Sequence, residues 1–138
     1  MEQPNTHLAI DPKLCGEVRR LAPNEAEVEL CTSASMAADQ HGLVHGGFLF
    51  GAADYAAMLA VNHSNVVLGS ARVQFTAPTR VGERVRFKAV VTSEKGRKRE
   101  VEVEGRPVTT GESSDDAEPC FLGSFTCVVL DQHVLDRL

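Results

Sequence analysis

Hydrophobic residues follow two different spacings along the chain, and the change in spacing separates one predicted helix from several predicted strands. From Gly47 to His63 the residues are mostly Ala, Leu, Met, Phe and Gly, without proline. Alanine, leucine and methionine favour helix, and an apolar surface on nearly every side indicates a helix that is buried around most of its circumference. This segment predicts the long helix of the fold.

Strand-like patterns lie on both sides of this helix. Upstream, residues 15–31 alternate in places between polar and apolar positions around an Ala-Pro-Asn turn, which indicates a strand or hairpin with one wet face. Residues 32–44 contain many small and polar residues and predict a surface loop. Downstream, four segments rich in Val, Phe and Thr predict four strands: Ser70–Pro78, Arg84–Ser93, Lys98–Val108 and Cys120–Leu130.

Short links between the four downstream strands favour an antiparallel meander, because parallel neighbours would need crossovers of a dozen or more residues. The last of these links is an acidic loop, residues 109–119. Together the elements predict an α+β fold in which a curved antiparallel sheet wraps one long central helix. The 138 residues suit a single domain, residues 1–138, in which residues 1–13 form a loose N-terminal lead-in.

Composition narrows the expected partners and location. The net charge of -5 works against binding to nucleic acid or to an anionic membrane surface, because both require an excess of Lys and Arg on one face. The cysteines form no CxxC pair and the N-terminus lacks a signal-peptide pattern, which favours a reduced, cytoplasmic location. The longest apolar run, Phe48–Val61, is too short to span a bilayer, for which roughly 20 residues are needed.

The predicted helix contains one charged side chain, Asp54, where alanine or leucine would be easier to bury. A buried carboxylate must be paired or hydrogen-bonded, or its pKa rises until it is neutral. The helical positions three and four residues away carry no cation: they are Phe50, Gly51, Ala57 and Met58. Asp54 must therefore be satisfied by water, a ligand, another chain or, in a purely structural role, a backbone group.

Three residues, His45-Gly46-Gly47, begin the predicted helix. Two glycines leave the first free backbone N–H groups unscreened by side chains, at the positive end of the helix dipole. Such an end suits an anion, or a carbonyl oxygen that becomes negative during a reaction. The alternative is that the glycines serve only a tight turn or close packing.

Helix geometry separates these two features. Gly46 and Asp54 are eight residues apart, which places them about 12 Å from each other at a rise of roughly 1.5 Å per residue. They therefore cannot both touch one reacting carbonyl. If they act together, Asp54 of one subunit must approach the His45-Gly46-Gly47 turn of a second, as two antiparallel helices related by a twofold axis allow. This reasoning makes a homodimer part of the predicted site.

Two consecutive stretches carry a family resemblance. HGLVHGGFLFGAADYAAMLAVN, followed by GSARVQFTAPTRVGERVRFKAVV, resembles the small hotdog-fold acyl-CoA thioesterases of the phenylacetate-degradation type. Those proteins are similar in carrying an HGG turn, an acidic residue two turns into the central helix, and a strand that ends in Phe before a Pro-containing turn and Gly-Asp/Glu. The resemblance covers residues 41–91 closely and the remaining strands by pattern. It implies a hotdog fold and hydrolysis of an acyl-CoA thioester to the free acid and CoA.

The resemblance also implies roles for individual residues. Gly46 or Gly47 would donate a backbone N–H to the thioester oxygen, and His45 would help to orient it. Asp54 of the partner chain would be the nucleophile or the base that activates water. A homodimer, often paired into a homotetramer, would hold the site at its subunit interface, without a metal or an organic cofactor.

Four further positions are candidate substrate contacts. Asp39 and Gln40 stand where the related enzymes often carry Asn upstream of the HGG turn. Ser70 is the nearest polar residue on the strand after the helix. Arg80 is one of several basic residues that could meet the phosphates of CoA.

Other functions fit parts of the same pattern. A hotdog protein could bind acyl-CoA as a sensor without turnover, hydrate an enoyl-CoA with a His and an acid in other roles, or act as a catalytically silent dimer. The stretch from His41 to His45 has the spacing of the zinc motif HExxH, but it lacks the Glu and carries Gly42 where a helix is needed. The leading hypothesis is an acyl-CoA thioesterase.

Overall fold

A long helix and a set of strands make up the computed structural model of the chain, which describes residues 1–109 and 117–137. In chain order the elements are α1 (Pro12–Cys15), β1 (Glu17–Ala22), β2 (Glu25–Cys31), α2 (Gly46–Val61), β3 (Val66–Phe75), β4 (Arg84–Lys95), β5 (Lys98–Pro107) and β6 (Phe121–Val129), with turns of 3-10 helix at Ala34–Met36 and Val134–Arg137. The predicted helix and strands are therefore present, with shifted ends. Most of the predicted acidic loop, residues 110–116, lies outside the described residues.

The strands form one antiparallel sheet in the spatial order β1-β2-β4-β5-β6-β3, and α2 packs on its inner face. This is the hotdog arrangement, so the predicted α+β fold is confirmed. The predicted meander is wrong for one strand, because β3 pairs with β6 at the edge of the sheet whereas β4 pairs with β2. The link between β3 and β4, residues 76–83, passes beside the loop that precedes α2, where the Val44 N–H donates to the Thr79 carbonyl.

Helix α2 has a defined start and end. It begins at Gly46 after His45, whose backbone is extended, and it ends where Asn62 adopts a left-handed conformation. The Asn62 N–H donates to the Met58 carbonyl and closes the last turn. Most of the buried residues of α2 are alanines, which let the helix lie close to the sheet.

The outer face of the sheet carries a buried carboxylate, Glu29 of β2. Its oxygens accept from Arg19 of β1 at 2.9 Å and from Arg86 of β4 at 2.5 Å, and Arg84 lies 3.4 Å away. Burial alone would raise the pKa of Glu29, but the hydrogen bonds and charges of Arg86 and Arg19 outweigh it and hold the pKa below its ordinary value. The cluster ties three strands together on the side opposite α2.

The N-terminal segment, which the sequence predicts to be a loose lead-in, lies against the C-terminal end of α2. The Asn5 N–H donates to Oδ1 of Asn62 at 2.7 Å, and Nδ2 of Asn62 donates to the Gln3 carbonyl at 3.1 Å. The His7 and Tyr55 rings lie with their centroids 6.5 Å apart. These contacts hold the first residues of the chain on the helix.

Two further features of the described residues are the length of the helices and the state of the cysteines. Within the two described ranges, no helix is long and apolar enough to cross a membrane. Cys15, Cys31, Cys120 and Cys127 are all free thiols.

Candidate active site

One stripe of α2 stays partly exposed. Beyond the first turn, where Gly46 and Phe48 are also partly exposed, the remaining positions of the helix are buried. The stripe runs through Gly47, Phe50, Gly51, Asp54 and Val61, whose spacing places them on one helix face. Asp54 is its single charged residue. The stripe is therefore the surface through which Asp54 can meet another molecule.

The Asp54 carboxylate is desolvated without a compensating hydrogen bond. Its Oδ1 atom is buried and has no hydrogen-bond partner among the residues that the structure describes. Burial raises the pKa of Asp54 to about 6. Such a carboxylate is largely ionised at neutral pH and yet more basic than an ordinary Asp, which suits it to accept a proton.

Two thiols lie within reach of the Asp54 charge. Burial is the main reason that the pKa of Cys127 rises to about 12 and that the pKa of Cys15 also rises, and the negative charge of Asp54 adds to both shifts. Cys127 lies on β6 and Cys15 ends α1, so Asp54 lies between the sheet and the N-terminal segment. Neither thiol supplies a positive charge that would lower the pKa of Asp54.

The His45-Gly46-Gly47 turn begins α2 with two available amide donors. The His45 N–H donates to the Met36 carbonyl, and the Phe48 N–H donates to the His45 carbonyl. In the described part of the chain the Gly46 and Gly47 N–H groups have no acceptor. The His45 ring lies beside Gly47, where an added Cβ would be 3.3 Å from it. The turn can therefore bind an oxygen atom at the positive end of the helix.

Asp39 shapes the loop that leads into this turn. Its Oδ1 accepts from the backbone N–H groups of His41 at 2.9 Å and Leu43 at 3.3 Å. Gln40 lies next to it with an exposed side chain. Both residues thus lie on the loop upstream of α2, where Asp39 already uses one carboxylate oxygen to hold the backbone.

Arg80 and Ser70 lie in different places relative to this turn. The backbone of Arg80 pairs with Leu43 near the start of α2, and the Arg80 side chain is exposed. Ser70 pairs with Thr126, which lies on the outer face of the sheet between two buried positions of β6. Directly paired residues share a face, so Ser70 points away from α2. The structure brings Arg80 to the helix start but does not bring Ser70 there.

Gly46 and Asp54 both lie on α2, as the sequence predicts. Their separation within one chain is about 12 Å along the helix axis. A single chain therefore carries both parts of the predicted site without bringing them together.

Sequence reasoning gives no role to Phe75, the last residue of β3. Its ring lies beside Gly46, where an added Cβ would be 3.1 Å from Cε1 of Phe75. The family resemblance implies that a strand ends at this phenylalanine, whereas the strand pattern alone predicts an end at Pro78. No local signal shows that this strand end meets the start of α2, because the contact depends on the tertiary fold.

The sequence and the fold agree with one known family. Residues 41–114 match the thioesterase superfamily, and the chain belongs to this family. The sequence-based resemblance is thus confirmed at the level of the family.

Two solved structures are similar to the chain over most of its length. An uncharacterized protein from Pyrococcus horikoshii is 44% identical, with a TM-score of 0.89, and the match covers 98% of each chain. The phenylacetic acid degradation protein PaaI from Thermus thermophilus, solved as a mutant, is 32% identical with a TM-score of 0.73. That match covers 85% of this chain and 95% of the Thermus chain.

A curated protein is similar to part of the chain. The methylthioribose-1-phosphate isomerase of Aquifex aeolicus (strain VF5) is 54% identical over 99 residues, which are 72% of this chain. The chain spans only 22% of the length of that relative. The likeness therefore concerns one segment of a much longer protein.

Proposed function

We propose that this protein is an acyl-CoA thioesterase that hydrolyses a thioester to the free acid and CoA. One observation carries the proposal: in a member of the thioesterase superfamily, the partly exposed stripe of α2 holds a carboxylate, Asp54, with a buried and unpartnered oxygen. A structural Asp would be expected to accept a hydrogen bond from the backbone or a side chain. The raised pKa of Asp54 adds a chemical reason for its position.

Thioester hydrolysis needs a base or nucleophile and a donor that stabilises the negative oxygen of the intermediate. In the proposed reaction the Gly46 or Gly47 N–H donates to the carbonyl oxygen, and His45 helps to orient the ester. Asp54 either removes a proton from the attacking water or attacks the carbonyl carbon to form an anhydride that water then hydrolyses. In the first route the C–S bond breaks and the CoA sulfur takes the proton that Asp54 removed from water. In the second route CoA leaves as a thiolate that takes a proton from solvent, and hydrolysis of the anhydride restores the Asp54 carboxylate. Neither route needs a metal or an organic cofactor.

A homodimer supplies the missing geometry. Among the strands that the structure describes, β3 has one neighbour, β6, so its outer edge is open, and Cys127 of β6 lies near Asp54. An open edge strand can pair with a second copy. A twofold axis would then place two α2 helices antiparallel, with Asp54 of one subunit beside the HGG turn of the other. We propose this dimer, alone or as a dimer of dimers, as the active form.

Arg80 is the basic residue that lies best for a CoA phosphate, because its backbone pairs with the loop before α2. Asp39 and Gln40 lie on the same loop and are proposed to border the entrance to the site. The basic hairpin, residues 94–99, lies at the opposite end of α2, where the Arg97 carbonyl accepts from Val129 near the end of β6. The hairpin therefore has less support as the phosphate contact.

Release of free thiol from a panel of short, long and aromatic acyl-CoA esters, and from an acyl-carrier-protein ester, tests the proposed function. Steady turnover of at least one ester supports the thioesterase. Tight binding without thiol release would favour the acyl-CoA sensor, and addition of water to an enoyl-CoA would favour the hydratase. A folded dimer that neither binds nor converts any of these esters would leave only a structural role.

The pH dependence of turnover should follow the ionisation of Asp54. Because the base must be deprotonated, kcat/KM is expected to fall about tenfold per pH unit below a pKa of about 6 and to be level above it. The measurement is a rate profile from pH 4.5 to 8.5 with an ester that is stable over this range. A level profile across the whole range would contradict the role of Asp54 as the ionising group.

Mixed dimers should show that each site uses two subunits. We expect Asp54→Asn and Gly46→Pro homodimers both to be inactive. Proline suits the backbone of a first-turn position, but it removes one amide donor and also displaces the Phe75 ring. A mixed dimer has one intact site if Asp54 and Gly46 come from different chains, so it should regain about half of the wild-type activity by subunit symmetry. Differently tagged subunits, purified as the mixed form, allow this measurement. A mixed dimer as inactive as its parents would place both groups in one chain.

A further inference from the structure

Phe75 at the end of β3 is unusually exposed for a large aromatic side chain that touches the core. Phe75 is 52% exposed, whereas the other phenylalanines are buried or half-buried. The ring packs edge-on against Phe121, with centroids 5.5 Å apart and planes at 81°. Phe121 is fully buried and contacts Phe87 and Phe125. Phe75 is therefore held in a fixed position by the core while much of its ring faces outward.

The same ring also lies against Gly46. A Cβ at this position would be 3.1, 3.3 and 3.6 Å from Cε1, Cζ and Cδ1 of Phe75. The first two distances are tighter than ordinary contact, so a larger residue at position 46 would displace the ring. The glycine is thus matched to the aromatic ring beside it.

We infer that Phe75 positions the substrate: its ring forms the wall that contacts the thioester group while the Gly46 and Gly47 amides bind the carbonyl oxygen. This inference rests on the proposed function. Any oxygen that accepts from the Gly46 N–H must lie close to the ring, because the ring packs on Gly46 itself. An apolar wall on one side of the amides excludes water and strengthens their hydrogen bonds to a developing negative charge. The ring also offers the sulfur of a thioester a favourable aromatic contact.

Enzyme kinetics with a double-mutant cycle tests the inference. Phe75→Leu keeps an apolar side chain but removes the ring, so kcat/KM should fall about tenfold, as expected for one aromatic contact. Gly46→Ala should also lower kcat/KM about tenfold in the wild-type background, because its methyl group displaces the ring. In the Phe75→Leu background the ring is gone, so Gly46→Ala should then have less than a twofold effect. Independent, multiplicative effects of the two substitutions would overturn the inference.

Substrate dependence separates a contact with the thioester group from a contact with the acyl chain. The loss caused by Phe75→Leu should be the same factor for short and long acyl esters. A loss of kcat/KM that grows with acyl length would place the ring beside the acyl chain instead and would overturn the inference. Val90→Ala, an exposed apolar position on β4, is the matched control and should leave kcat/KM unchanged.

A binding measurement keeps the test independent of turnover. An acyl-CoA ketone analogue, with CH2 in place of the sulfur, retains the carbonyl oxygen and cannot be hydrolysed. If the wild-type protein binds it but hydrolyses no ester, the proposed function fails, and weaker binding to the Phe75→Leu variant still supports the wall. Equal binding of the ketone analogue to the wild-type protein and to the Phe75→Leu variant would overturn the inference that the ring contacts the thioester group. Dissociation of the Phe75→Leu dimer, measured by light scattering, would also overturn it, because the ring would then be an interface residue.

Discussion

Replacing Asp54 by asparagine is expected to lower kcat by about 10³-fold or more, because the variant loses the base or nucleophile while it keeps nearly the same shape. Ester binding should change little, since the amide donors of the HGG turn remain. The measurement is thiol release at saturating acyl-CoA together with the dissociation constant of the ketone analogue. Asp136→Asn, an exposed acid near the C-terminus, is the matched control and should retain full activity.

The same substitution should stabilise the fold, which separates lost chemistry from unfolding. Folded Asp54 keeps its proton up to a pKa of about 6, whereas the unfolded chain releases it near pH 4. The wild type therefore loses stability as pH rises between these values, and the neutral variant does not. With allowance for partial exposure, Asp54→Asn should be more stable by about 1–2 kcal/mol at pH 7 and equal near pH 4. If the Asp54→Asn variant is folded and keeps a kcat near that of the wild type, Asp54 has no part in the mechanism.

Glu29→Gln is expected to destabilise the fold by about 3 kcal/mol at neutral pH, or about 10 °C in Tm. The reason is that the substitution removes the negative charge that Arg19, Arg84 and Arg86 share at a fully buried position. The effect should shrink in acid as the pH falls through the lowered pKa of Glu29, because the wild type then loses the same charge. Urea unfolding curves at several pH values provide the measurement.

A surface ion pair provides the control for Glu29. Glu25 contacts Arg20 at 2.9 Å, but both side chains are substantially exposed. Solvent screens such pairs, so Glu25→Gln should change stability by less than about 0.5 kcal/mol. Equal effects of the two substitutions would mean that the buried cluster contributes no more than an exposed pair.

The sequence predicts those parts of the fold that local patterns determine. The Ala-Pro-Asn turn separates β1 from β2, which do pair as a hairpin. The apolar run in the middle of the chain is α2. The pair of glycines that precedes this run indicates where the helix begins. The spatial order of the strands could not be predicted in this way. The alternation of polar and apolar residues is the same whether β3 pairs with β4 or with β6. The position at which α2 ends relative to the sheet decides which strand β3 joins. No local pattern of residues indicates that position.

The candidate site also contains some residues whose position could be predicted from the sequence and others whose position could not. His45, Gly46, Gly47 and Asp54 lie in one contiguous segment, so their spacing on α2 could be predicted from helix geometry. The polarity of Ser70 makes it a candidate, but a bulge between Leu68 and Ser70 and the pairing with Thr126 place it on the outer face. Phase along a strand determines which face a residue occupies, and a bulge changes that phase. Phe75 escapes prediction for the opposite reason, because its contact with Gly46 joins two segments far apart in sequence.

The open edge of β3 has a consequence for how this protein must be handled. In the proposed dimer the edge is covered, and the same contact assembles both catalytic sites. A subunit released by dilution would lose its chemistry and at the same moment expose a ten-residue strand to any extended chain nearby. Activity and resistance to aggregation would therefore decline together as the concentration falls below the dissociation constant of the dimer.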